Sequence, residues 1–258
     1  MQGFLKTKAE SFLTRYPKVF FCHIPKCAGV SLSNAIHASL YPSFFKATRM
    51  SSNIDLAGSK VSSELLNIDM TTTREVQLAF NLNDKYKKFI TGHCRARPEL
   101  VDRFGESWNF ITILRDPKKR FISEFVYNKF KDSDWAKHDE EIDVYLDSAF
   151  ARHSATTYAR YFSKFTDADD IFKNEGEAIE SAVDNLKNFS VAGTLENLTG
   201  WQHKFNNHFN TKIKIDNKNS SPNKSLSSEL YKDTSVMERI NHLSRIDKAI
   251  YEAVSSPK

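Results

Sequence analysis

The chain has 258 residues, with 37 Lys plus Arg against 32 Asp plus Glu, a formal charge of +5, and 40% hydrophobic and 27% charged residues. That balance excludes a collagen-like repeat, a disulfide scaffold, a transmembrane bundle and a wholly disordered chain. The charge suits anionic ligands but falls short of a nucleic-acid footprint, so no nucleic-acid partner is expected. Twenty Phe and three Trp supply the surface of a sizeable core. The length exceeds the usual single-core domain without reaching two. The expectation is one domain over residues 1–258 with a loop-rich appendage.

The first twenty-one residues, MQGFLKTKAESFLTRYPKVFF, are interrupted by Lys6, Lys8, Glu10, Arg15 and Lys18, so they hold no signal-peptide core. No run approaches the 18 consecutive apolar residues of a membrane span. Cys22, Cys27 and Cys94 are an odd, sparse set that fits a reduced interior better than a disulfide framework. A cytoplasmic location follows as the expectation. Asn-x-Ser/Thr matches at Asn188, Asn197, Asn219 and Asn223 read as chance in a chain rich in Asn and Ser.

In chain order, 19–23 reads as a buried strand, followed by a helix whose face is Leu32, Ala35, Ile36 and Leu40. A second strand is expected at 44–48, and residues 51–75 read as irregular. Strands at 89–92 and 109–114 follow, then a helix carrying Phe121, Ile122, Phe125, Val126 and Phe130. Residues 131–170 show no readable pattern. A helix with Ile179, Ala182, Val183 and Leu186 leads to a strand at 189–193, and Leu195, Leu198, Phe205 and Phe209 mark the next helix. A weak strand at 212–215, an exposed loop at 216–228 and a last helix with Val236, Ile240, Leu243, Ile250 and Val254 complete the chain. Short apolar strands beside helices predict an α/β fold, a mostly parallel central sheet flanked by helices.

Two strand ends carry chemistry. After 19–23 comes Ile24-Pro25-Lys26-Cys27-Ala28-Gly29-Val30-Ser31. Pro25 ends the strand, the small residues let backbone approach a ligand, and the following helix, expected to begin near Ser31, offers unpaired N–H groups. With Lys26 at the mouth, this makes a phosphate cradle. It is not the G-x-x-x-x-G-K-S/T loop: the Lys precedes the single Gly, and no Lys-Ser/Thr pair holds Mg²⁺. Taken alone the segment is equally well a tight turn. The strand 109–114 ends in Arg115-Asp116-Pro117, where Asp116 suits an N-cap and Pro117 the first helical turn. Arg115 with Ser123 would suit a second phosphate. Each residue alone also fits an ordinary surface role.

Together HIPKCAGVSL (residues 23–32) and LRDPKKRFISEF (residues 114–125) resemble the two donor motifs of sulfotransferases that use 3′-phosphoadenosine 5′-phosphosulfate (PAPS). The similarity is closest to the carbohydrate branch that includes heparan-sulfate 2-O-sulfotransferases, and VAGTLENLTGW (residues 191–201) is a weaker echo. The resemblance implies a P-loop-nucleotide-hydrolase-like three-layer fold. It also implies sulfuryl transfer to a hydroxyl of a saccharide-type acceptor, acidic sugars included. Lys26 would stabilise the leaving phosphate. Amides around Cys27, Ala28, Gly29 and Val30, with the Ser31 hydroxyl, would hold the 5′-phosphate, and Arg115 and Ser123 the 3′-phosphate. Ser221 and Lys224 are the expected contacts of a loop closing over the donor. His93, at the strand end Thr91-Gly92-His93, would be the general base, and adenosine 3′,5′-bisphosphate (PAP) the product. Many relatives have a hydroxyl residue where Cys27 or Val30 stands. His23 is the competing base, with a structural role expected from its place in the strand.

Arg95 and Arg97 are candidates for an acidic acceptor, equally readable as a solvated charge cluster. Cys22, His23, Cys27, His93 and Cys94 match no ordinary zinc spacing, and no metal is expected. The donor-binding core is expected at about 17–130 and 186–215, acceptor-shaping insertions at about 49–85 and 131–170, and a C-terminal loop and helix at 216–254. A P-loop-type kinase and a catalytically silent nucleotide-binding module are the alternatives. A Golgi-type protein without its anchor is the alternative location.

Overall fold

A computed structural model describes residues 10–215 and 223–256. In chain order the elements are β1 (Val19–Cys22), α1 (Gly29–Leu40), a 3₁₀ turn (Ser43–Ala47), β2 (Ser51–Ile54), α2 (Leu56–Leu66), α3 (Met70–Leu82), β3 (Phe89–Gly92), α4 (Pro98–Phe104), β4 (Asn109–Thr112) and α5 (Pro117–Phe130). They continue with α6 (Ile142–Leu146), α7 (Ala149–Ala155), α8 (Thr157–Phe162), α9 (Ala168–Lys173), α10 (Glu175–Lys187), α11 (Leu198–Phe209), α12 (Lys224–Lys232), α13 (Thr234–Leu243) and α14 (Arg245–Ser255).

The strands form one sheet in the order β2-β3-β1-β4, all pairs parallel. β1 and β3 are buried along their whole length because helices flank the sheet, and their sequences VFFC and FITG are correspondingly apolar. Phe20 and Phe110 meet edge to face at 5.7 Å across β1 and β4. Each such ring, fully removed from water, stabilises the fold by roughly 1.5–3 kcal/mol. The expected strand at 189–193 lies parallel beside β4 but makes only isolated bridges, Ile111 to Val191 and Leu114 to Thr194. Thr112 and Leu114 amides donate to the Val191 and Gly193 carbonyls at 3.0 and 2.9 Å.

Several expectations are corrected. Residues 44–48 do not form a strand: Ser43–Ala47 is a 3₁₀ turn after Pro42, with Phe45 buried against Tyr16 and Tyr41 and its neighbour Phe44 exposed. The strand is Ser51–Ile54, paired to β3 from Ser51–Phe89 to Ile54–Gly92. Most of 51–75 is helical, with Asp55 capping α2 through the Gly58 amide at 2.7 Å and Asp69 capping α3 through the Thr72 amide at 2.7 Å. Residues 212–215 form no strand. The single last helix is two, α13 and α14, meeting at Ser244.

The break at Ser244 places Asp247 in the first turn of α14, fully buried, where its carboxylate accepts from the Tyr158 and Ala159 amides at 2.8 and 3.0 Å. It thereby caps α8 from another element. Burial pushes this carboxyl up to about 7, against the pull of Arg120 and the two amides. Among the described residues no helix is long and apolar enough to cross a membrane.

Candidate active site

Parallel pairing brings Cys22, Gly92 and Thr112 level, so the loops after β1, β3 and β4 leave the same edge of the sheet. From β1 the chain crosses to β2 on one side and reaches β4 on the other, which opens a crevice at this edge. Every motif singled out from the sequence at a strand end is carried there.

The loop after β1 is wound by two non-glycine residues in the left-handed region, Lys26 with φ 67° and Ala28 with φ 58°. Such conformations cost of order 1–3 kcal/mol each and cluster where backbone is shaped for a ligand. α1 starts at Gly29, two residues earlier than expected. Its N-cap Ala28 offers no side-chain oxygen, and its first turn has no acidic residue. The amides that a Ser or Asp cap would satisfy are left for an anion. Val30 is exposed at the rim, Cys27 is buried beneath, and Ser31 is partly buried on the first turn.

Gly29 is required by packing: an added Cβ would lie 1.6 Å from the His23 ring. Gly29→Ala should therefore displace His23 and lower stability by about 1–3 kcal/mol, the usual cost of overpacking. Adding His23→Ala should recover most of that loss, read as the melting temperature of the two variants. Equal melting temperatures for wild type and Gly29→Ala would show that the ring yields freely.

Arg115 emerges after β4 and crosses to the first loop, its Nη1 donating to the Lys26 carbonyl at 3.1 Å. Its backbone is held at both ends by Tyr158, whose hydroxyl accepts from the Arg115 amide at 3.0 Å and donates to the Arg115 carbonyl at 2.5 Å. Among the described residues no carboxylate lies within ion-pair distance of Arg115 or Lys26. α5 begins as expected, with Asp116 capping through the Lys119 amide at 3.0 Å and Pro117 in the first turn. Lys119, Ser123, Tyr127 and Lys131 follow at four-residue spacing, one face of α5 continued by one residue. On that face Tyr127 lies beneath Lys26, whose Nζ sits 3.7 Å from the ring centroid. Burial pushes the Lys26 ammonium down to about 8, with Arg115 and Lys131 adding to the fall and Glu124 opposing it.

Glu124 is already neutralised. Arg120, 1% exposed, contacts its carboxylate at 2.6 Å, and Ser154 Oγ donates to it at 2.6 Å. Although burial opposes ionisation, Arg120 and Ser154 hold this carboxyl down at about 2.

His93 follows β3. Its Nδ1 lies 2.7 Å from the His23 carbonyl, an acceptor only, so Nδ1 carries the proton and Nε2 is left unprotonated. The His23 and His93 rings meet at 4.2 Å. Burial lowers both: His23 to about 3, and His93 below its ordinary value with Arg74 adding to the shift. Gly92 before it permits close strand approach, since a Cβ there would meet the Ile54 carbonyl at 2.8 Å.

Arg95 and Arg97 do not face open solvent. Arg97 makes two hydrogen bonds to Glu75 of α3, at 2.9 and 3.1 Å. Arg95 Nε lies 2.8 Å from the same carboxylate, off the line of a hydrogen bond, so that contact is an ion pair. The guanidinium beside His93 is one the sequence does not single out: Arg74 Nη1 donates to the His93 carbonyl at 3.4 Å, and its Nε to Ser59 Oγ at 3.3 Å. Its place on α3 carries no local motif. Tyr127, Tyr158 and Glu124 were also missed, because only the packing of α5 and α8 brings them to the loop. Ser221 and the Lys224 side chain lie outside the described residues.

The cysteines have the chemistry of packed thiols. Cys22 Sγ donates to the Cys94 carbonyl at 3.2 Å, and burial pushes Cys27 up to about 11 and Cys94 to about 12.

A parallel α/β sheet with uncapped helix amides, a lysine and an arginine gathered at its carboxyl edge is a P-loop-like architecture. Residues 10–252 match the sulfotransferase family, and the chain belongs to that family. It is accordingly a transferase with the family's α/β fold, and the family generally uses PAPS. No curated protein is similar enough to the chain to be matched to it.

Proposed function

We propose that the protein is a PAPS-dependent O-sulfotransferase that moves a sulfuryl group to a hydroxyl of a saccharide-type acceptor. The observation that carries this reading is the meeting of three cationic or amide-rich elements at one edge: uncapped α1, Lys26, and Arg115 bonded to the Lys26 carbonyl at 3.1 Å. The residues fit a donor with two separated phosphates. Amides of residues 28–30 and the Ser31 hydroxyl take the 5′-phosphate, while Arg115 and Ser123 take the 3′-phosphate. Cys27 contributes backbone alone, since its buried thiol bonds only Tyr158, at 3.8 Å. The donor-binding core spans about 17–130 and 186–215, and 49–85 and 131–170 shape the acceptor side.

The acceptor hydroxyl oxygen attacks sulfur while its proton passes to His93 Nε2. The bond from sulfur to the bridging oxygen breaks, and PAP leaves with the charge on its 5′-phosphate, where the Lys26 ammonium meets it. The protein supplies position and charge stabilisation, as in phosphoryl transfer. No metal has a part in these steps.

The two ionisations give a bell-shaped kcat/KM. The lower limb follows loss of the proton from His93 and lies below the ordinary histidine value of ~6.5. The upper limb follows loss of the Lys26 proton near pH 8. Lys26→Arg should move the upper limb out of range, because arginine stays charged. A profile with its upper limb unchanged in that variant would remove Lys26 from it.

The reading itself is tested by incubating ³⁵S-labelled PAPS with a panel of saccharides and small hydroxyl compounds. Label should move to a saccharide, and the transfer should need neither ATP nor added Mg²⁺. Label found only in inorganic sulfate, with every acceptor and with none, would contradict it.

A further inference from the structure

Arg115 and α5 lie on the β4 side of β1, so the donor reading leaves the other side of the loop, toward β3 and β2, free of donor contacts. A cavity of about 330 Å³ lies there, between α1 and the β2-β3 edge of the sheet. Its walls are polar where a sheet face is ordinarily apolar. β2 contributes Ser51, Ser52 and Asn53 in succession, and α1 contributes Ser33 and Asn34. β2 is the edge strand of the sheet, with Ser51 and Ser52 half-buried and Asn53 exposed, so its polar side chains are accessible to a ligand.

One cation faces this cavity. Lys46 Nζ donates to Asn34 Oδ1 at 3.0 Å, and among the described residues no carboxylate lies within ion-pair distance of it. Among the described residues no acidic side chain lines the walls. His37, buried and hydrogen-bonded to Ser51 Oγ at 3.2 Å, adds a neutral ring, its proton affinity lowered to about 4 by burial and then by Lys46. At the upper end the lining is His23 and Thr91, and the His23 ring touches His93 at 4.2 Å. The cavity therefore runs from an exposed lysine to His23, whose ring packs against that of the candidate base His93.

We propose that this cavity is an acceptor subsite for a polyhydroxylated molecule bearing one anionic group, the anion on Lys46 and the ring hydroxyls on the Ser and Asn side chains of β2 and α1. The proposal rests on the sulfuryl-transfer reading above. A few hundred Å³ is the usual size of a small-molecule site. Hydroxyl and amide side chains match sugar hydroxyls as both donors and acceptors. A carboxylate and a sulfate or phosphate share the chemistry that Lys46 recognises.

Saturation-transfer NMR on the PAP-loaded protein separates the cases, with glucuronate, glucose 6-sulfate and glucose as probes. The expected result is saturation of one or both anions, with no displacement by PAP, and weaker saturation of glucose. Lys46→Gln should weaken the anions about fivefold, the upper range for an exposed charge contact, and leave glucose unchanged. Ser33→Phe, which fills the cavity, should abolish all three signals. The PAP-induced rise in melting temperature serves as the separate check on the donor site in each variant. Equal saturation of anions and glucose, insensitivity to Lys46→Gln, displacement by PAP, or no saturation at all would each overturn the subsite. Absence of a PAP-induced rise in the wild type would instead sink the donor reading, and with it the acceptor role, even if the sugars bind.

Discussion

Lys26→Ala should lower kcat for sulfuryl transfer by about 10²–10³, the loss seen when a preorganised charge-stabilising donor is removed from an active site. The effect should fall on kcat more than on donor affinity. In the proposed reaction Lys26 is one contact among several to the ground-state phosphosulfate, but the main countercharge to the oxygen that gains charge as sulfur leaves. The ammonium is held in place for this role, since Tyr127 carries it at 3.7 Å and Arg115 binds its backbone carbonyl at 3.1 Å. His93→Ala should cost a comparable 10²–10⁴, roughly the range for a general base, with PAP affinity unchanged because the ring belongs to the acceptor side. Single-turnover transfer with preformed PAPS complex separates the two variants from effects on binding. A Lys26→Ala enzyme within about threefold of wild type would end its leaving-group role.

The second large effect concerns stability. Glu124→Gln should destabilise the fold by about 3–5 kcal/mol, because it strips the countercharge from a buried guanidinium. Arg120 is 1% exposed and has no other carboxylate within ion-pair distance among the described residues. It also donates to the Ser154 carbonyl, so it cannot swing to solvent without breaking α7's contact with α5. Denaturant unfolding at pH 7 checks the size. The pH dependence checks the cause: Glu124 is held at about 2 in the fold against ~4.3 in an unfolded chain. Its contribution is fully present above the unfolded value and is lost as pH falls through that window toward 2. The gap between wild type and Glu124→Gln should therefore narrow steadily below pH 4. A gap constant from pH 7 to pH 3 would mean the loss is one of packing, not charge.

How far the sequence could be read follows from where the determining contacts lie. β3 was legible to the residue because FITG is apolar on both faces and ends in a glycine that strand approach demands. α5 was legible because Asp116-Pro117 is a local start signal. β2 was not, since SSNI has no apolar alternation and owes its extended form to hydrogen bonds from β3, thirty-eight positions along the chain. α2 and α3 were obscured because Leu65 and Phe80, 80% and 77% exposed, blur the one-sided stripe that marks a surface helix. The expected strand at 44–48 failed because Pro42 turns the chain before it.

The site divides the same way. Lys26, Arg115 and His93 sit at strand ends, so a parallel sheet alone brings them to one edge. The pairing of Arg95 and Arg97 with Glu75 was not legible, because Glu75 lies twenty and twenty-two residues earlier, on a helix whose packing no local pattern announces. Arg74 escaped notice for the same reason, although it touches the His93 carbonyl.

The most direct test of the central claim, that the loops after β1 and β4 together hold a donor with both 5′- and 3′-phosphates, is calorimetric titration of PAP against 5′-AMP. PAP should bind at least tenfold tighter, since a charge-assisted contact to the 3′-phosphate is worth about 1.5–3 kcal/mol, and Arg115→Ala should erase most of that difference while leaving 5′-AMP unchanged. Equal affinity for PAP and 5′-AMP, or a difference that survives Arg115→Ala, would contradict the account.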